Sequence, residues 1–148
     1  MPLILQTLMG AGILLGCTLL HIVVLVGCIP VLRRLGQRYL GHPLLRTFTI
    51  LSAAVMFVLL GHTLQIWTWT WLLLRMGEFE DPSTGLYFTT VTYTTLGYGD
   101  VVLDAPNRLM ATFSAITGLV TFGISTAFVV GVLSRVLPEF FALDEPKD

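Results

Sequence analysis

Few residues in this chain carry side chains suited to chemistry, and those few are clustered. His21 and His62 stand alone in long apolar runs, and two imidazoles at similar membrane depth could ligate haem or another metal. Cys17 and Cys28 share the first of these runs; eleven residues apart on one helix they cannot pair, so buried free thiols are expected. The acidic residues Glu78, Glu80 and Asp81 form one group, and Asp100 follows a hexapeptide with alternate glycines, Thr95-Leu96-Gly97-Tyr98-Gly99-Asp100. Gly97 and Gly99 permit the φ > 0 conformations that residues with a Cβ resist. That strip offers backbone chemistry rather than side-chain catalysis, and nothing in the sequence points to an enzyme.

The surroundings of these residues set their medium. The 148 residues are 55% hydrophobic and only 11% charged, with a net charge of −1. A soluble domain carries about 25% charged residues, and a nucleic-acid binder needs clustered cationic surface. Composition therefore excludes both, and a disordered chain as well. No Asp, Glu, Lys or Arg occurs in residues 1–32, 47–74 or 109–134. Each run exceeds the roughly 20 residues that cross a bilayer. Three spanning helices are predicted. The first lacks a cationic start and is too long for a secretory signal, so it reads as a retained anchor.

Arg33, Arg34, Arg38 and Arg46 lie in residues 33–46 without an acid among them, marking a cytoplasmic linker. The N-terminus is then outside, Glu78, Glu80 and Asp81 are external, and residues 136–148 form a cytoplasmic tail at a cell membrane. Trp67, Trp69 and Trp71 are read as an interfacial belt. Gly12 and Gly16 give a close-packing pattern expected to dock on the second span. Arg33, Arg34 and Arg38 are topology determinants in this reading, with contact to anionic lipid as the alternative.

Residues 75–108 are too many for a plain hairpin turn. Asp81-Pro82 starts a helix well, as N-cap and first helical residue. The run Thr89-Thr90-Val91-Thr92-Tyr93-Thr94 has strand propensity, yet an open strand would leave its backbone unpaired in hydrocarbon. Thr95-Leu96-Gly97-Tyr98-Gly99-Asp100 resembles the selectivity filter of potassium channels, usually Thr-Val-Gly-Tyr-Gly-Asp. The preceding run from Leu86 to Thr95 is similar to the family's pore helix. Arg108 through Gly118, then Phe122-Gly123 and Thr126-Ala127, is similar to its inner helix.

The resemblance implies an all-α integral membrane fold. It comprises an N-terminal helix at 1–32 and a pore domain at 47–135, with an outer helix at 47–74, a re-entrant pore helix at 82–94, a filter at 95–100 and an inner helix at 108–135. Carbonyls of Thr95, Leu96, Gly97 and Tyr98, with Gly99 beside them, would bind potassium ions in place of water. One chain supplies one strip, so the resemblance implies a homotetramer. Asp100 stands at the outer mouth, either attracting cations or bracing the filter. Gly118 matches the inner-helix hinge, with close packing as the other reading. Leu96 replaces the usual valine in a packed position. Phe88 stands where many relatives carry tryptophan, so the Tyr98 hydroxyl must find Thr89, another hydroxyl or water.

The function implied is passive, selective potassium transport, with no organic cofactor. No voltage sensor and no ligand-binding domain are expected, and a separate regulatory subunit is an open partner. The alternatives are a weakly selective cation channel, a non-conducting subunit, or a haem-binding subunit using His21 and His62.

Overall fold

The computed structural model describes residues 2–141, with side chains through residue 137; residues 142–148 of the expected tail lie outside the described residues. Four α-helices account for most of the described chain, and no strand occurs among the described residues: α1 (Leu3–Arg38), α2 (Pro43–Arg75), α3 (Pro82–Tyr93) and α4 (Arg108–Phe141). Three of them, α1, α2 and α4, are long and apolar enough to cross a membrane. α1 packs on both α2 and α4, and the short α3 is held between α2 and α4.

The charge-free runs mark the spans but not the helix ends. α1 has 36 residues, about 54 Å at 1.5 Å per residue, well beyond the ~30 Å of hydrocarbon. Arg33, Arg34 and Arg38 are therefore helical, and the connection shrinks to residues 39–42. Exposed arginines cost a helix nothing, so the change in composition at residue 33 does not stop it. Pro30 removes one backbone bond inside α1 without ending it.

The end of α2 shows why the chain turns where it does. Gly77 adopts φ +77°. Its N–H donates to Leu74 O at 3.1 Å, and the Glu78 N–H donates to Leu73 O at 3.1 Å. This is a Schellman closure with glycine in the left-handed position. Asp81 then caps α3, accepting from the Thr84 N–H at 3.0 Å and the Ser83 hydroxyl at 2.6 Å. The cap and the packing of Phe88 on Phe79, ring centroids 5.3 Å apart, carry the threonine-rich run into a helix despite its strand propensity.

Two packing expectations are corrected. Trp69 is fully buried in the core with Leu73, Tyr93 and Met110, whereas Trp67 and Trp71 face outward. Residues two apart on a helix lie on opposite faces, so the three tryptophans cannot share one belt. Gly12 and Gly16 have nothing near a notional Cβ and do not dock on α2. The close approaches are Gly10, under the Phe113 ring of α4, and Gly61 of α2, under the His21 ring. Cys17 and Cys28 are free and buried.

Candidate functional site

The hexapeptide leaves the C-terminus of α3 through a second left-handed closure. Thr95 has φ +61°. Its N–H donates to Thr92 O at 2.9 Å, and the Leu96 and Gly97 N–H groups donate to Val91 O at 3.0 and 3.2 Å. A β-branched residue in this region is a strained outlier, and such strain gathers at functional sites. Gly97 and Gly99 also have positive φ, +55° and +78°. Thr95, Gly97 and Gly99 thus alternate with Leu96 and Tyr98, which do not. In an ordinary strand successive carbonyls point to opposite sides; alternating the hand of the backbone turns them toward one side.

All six residues are exposed in the single chain. Leu96, expected in a packed position, is 56% exposed, and Tyr98 is 66% exposed. Thr89 is fully buried and its hydroxyl has no partner, so the expected bond to Tyr98 does not form within the chain. Phe88 serves the core instead.

Asp100 is braced. The Tyr87 hydroxyl donates to its Oδ2 at 2.6 Å, and the Val101 N–H donates to its Oδ1 at 3.0 Å. The Tyr87 hydroxyl holds the carboxyl below the usual carboxylate range, and Asp100 in turn pushes the Tyr87 phenol up. Behind the strip, Glu78 pins the returning loop, accepting from the Asp104 N–H at 3.0 Å and from Asn107 Nδ2 at 2.5 Å. The Gln6 amide reaches the Pro106 carbonyl, so α1 also touches this loop. These two anchors were not legible from spacing: Glu78 stands in an acidic group with Glu80 and Asp81, and nothing in the sequence marks Gln6.

The two histidines belong to a buried polar cluster that joins all four helices. Ser125 Oγ of α4 lies 2.8 Å from His21 Nε2 of α1 and 3.1 Å from His62 Nε2 of α2. The Tyr93 hydroxyl of α3 sits 2.8 Å from His62 Nδ1 and 2.9 Å from Thr121 Oγ1, and donates to Gln65 Oε1 at 2.9 Å. Both nitrogens of His62 are engaged by protein hydroxyls, and the two imidazole centroids are 4.8 Å apart. These rings serve interhelical hydrogen bonding, and the geometry gives the haem alternative no support. Tyr93 was not singled out in the sequence as a hub; the signal available was the set of polar residues His62, Gln65, Thr121 and Ser125 inside the charge-free runs.

Gly118 lies against the end of α3: a Cβ there would strike the Tyr93 carbonyl oxygen. This close approach accounts for the glycine as a packing residue, and α4 runs unbroken through it.

No curated protein and no solved structure matches the chain significantly. Residues 44–135, more than half of the chain, match the family described as ion channel. With its outward-facing glycine strip set between two apolar helices, the chain belongs to the two-span, pore-loop ion channel family.

Proposed function

We propose that the protein is a potassium-selective channel subunit that assembles as a homotetramer and carries potassium passively across a cell membrane. The observation that carries this reading is the alternation of positive φ at Thr95, Gly97 and Gly99 on a strip left exposed by its own chain. A potassium ion sheds water only where oxygens replace it at nearly equal energy. The carbonyls of Thr95, Leu96, Gly97 and Tyr98, repeated four times around an axis, supply those oxygens. Neighbouring copies then cover the side chains of Leu96 and Tyr98. The C-terminus of α3 carries partial negative charge and faces the conduction path. The Asp100 carboxylates, held ionised by Tyr87, stand at the outer mouth and raise the local cation concentration. In this reading α3 is re-entrant, the N-terminus is external and the C-terminus cytoplasmic.

Reconstitution into liposomes with potassium inside and sodium outside tests the proposal. A reversal potential near the potassium equilibrium value is expected. A value near zero favours the weakly selective alternative, and the absence of barium-blockable flux favours a non-conducting subunit. Gly97→Ala is expected to abolish flux while sparing assembly. Tyr98→Asp is expected to relax selectivity toward sodium; an unchanged permeability ratio would count against the filter assignment.

A further inference from the structure

The inner end of the glycine strip is tied to the helix it leaves. The Thr95 N–H donates to Thr92 O, and the Leu96 and Gly97 N–H groups donate to Val91 O, at 2.9, 3.0 and 3.2 Å. Where the last turn of α3 sits therefore decides where the first carbonyls of the strip sit. Thr90 and Thr94 spend their hydroxyls on α3 itself, donating to Leu86 O and Thr90 O at 2.8 Å each. Tyr93 reaches outward instead. It is fully buried, and its carbonyl abuts Gly118 of α4 with no room for a Cβ between them. Its hydroxyl meets His62 Nδ1 at 2.8 Å, and Gln65 Oε1 and Thr121 Oγ1 at 2.9 Å. Of these partners His62 is the most firmly held. Its ring packs on those of His21 and Phe122, with centroids 4.8 and 4.5 Å away, and its Nε2 lies 3.1 Å from Ser125 Oγ. Gln65 and Thr121 would already satisfy a phenol oxygen. A third contact, to a ring clamped on several sides, over-determines the place of that oxygen.

We infer that His62 is a positioning residue for the conduction path: through the Tyr93 hydroxyl it sets the place of the α3 end, and so of the Thr95 and Leu96 carbonyls. The inference rests on the channel reading above. His62 touches no ion itself. An oxygen cage that replaces a hydration shell binds by position, so a strip displaced at its base binds the ion less well. Ser125 of α4 and the His21 ring of α1 hold the imidazole from behind, which brings the first helix into contact with the machinery that places the strip.

The test compares two replacements that each keep one of the ring's polar contacts. Asparagine places its amide near the position of Nδ1 and retains Tyr93; glutamine places it near Nε2 and retains Ser125. Barium has nearly the size of potassium and twice its charge, so its block of potassium flux through the full chain in liposomes reads the oxygen cage. His62→Gln is expected to weaken block about fivefold or more, and His62→Asn to leave it within about twofold. A merely structural role predicts similar losses of stability to SDS in both variants and no difference in block, and that result would overturn the inference. Where His62→Gln fails to assemble, Tyr93→Phe takes its place: weakened block is expected, and unchanged block would overturn the inference equally. A parent chain without flux would sink the channel reading and leave a second readout to decide the role of His62. The backbone carbon shifts of Thr95 and Gly97, read by solid-state magnetic resonance in bilayers, are expected to move in His62→Gln and hold in His62→Asn. Shifts alike in the two variants would overturn it.

Discussion

Replacing Tyr93 with phenylalanine removes one oxygen on which three buried groups converge. His62 Nδ1 stands at 2.8 Å, and Gln65 Oε1 and Thr121 Oγ1 at 2.9 Å. Thr121 keeps its bond to the Thr117 carbonyl at 2.8 Å. Gln65 keeps nothing, because its Nε2 already lacks a partner, and His62 loses the partner of one ring nitrogen. Orphaning two buried polar groups costs about 2–6 kcal/mol at about 1–3 each. Interhelical bonds in membranes average about 0.6 kcal/mol, which for three bonds gives about 2. The two estimates overlap at the low end, so a loss of about 2–4 kcal/mol is expected. Titration with SDS in bicelles, followed by circular dichroism, measures it. The double variant Tyr93→Phe with Gln65→Leu is expected to recover part of the loss, since removing both partners leaves no orphan there. A single-variant loss below about 0.6 kcal/mol, the worth of one average bond, would refute the argument that Tyr93 is the hub.

Gly118→Ala is expected to destabilise by about 1–3 kcal/mol or more, because its Cβ meets the Tyr93 backbone oxygen rather than a movable side chain. Gly123→Ala enters open space and is expected to be neutral or stabilising through helix propensity, so the two alanines separate in the same SDS titration. The Ser83 and Thr84 bonds lower the Asp81 carboxyl to about 2. A depressed carboxyl stabilises the fold above its unfolded value near 3.9 and loses that contribution as pH falls through about 2. Melting curves between neutral pH and pH 2 are expected to fall less steeply for Asp81→Ala than for the parent. Asp100 shifts in the same direction through Tyr87, so Tyr87→Phe is expected to move proton block of flux to higher pH, read from pH-dependent liposome flux.

Much of the architecture could be read from where charge is missing. Three apolar runs in a chain this poor in charge admit only spanning helices, and the Asp81-Pro82 start of α3 follows from local capping. What escaped were features set by rotation about a helix axis. Trp69 turns inward between two outward tryptophans, and Gly12 and Gly16 turn away from the partner that Gly10 and Gly61 meet. Composition fixes that a helix crosses, not which face it shows. The glycine strip was legible because its conformation is dictated residue by residue. Tyr93 was not, because its importance arises from three helices, α2, α3 and α4, meeting at one oxygen. The exposure of Leu96 and Tyr98 has the same origin: their environment is supplied by other copies in the proposed assembly.

The meeting of His21 with Ser125 and of His21 with Gly61 bears on how small this pore can be made. Cutting the chain back to its family-matched portion would strip α1 from the bundle. Ser125 and His62 would then be bare to lipid tails, and Gly61 would become a notch in the outer wall. The first helix is thus a keystone rather than a leash, and trimming it should bring down the arch it closes.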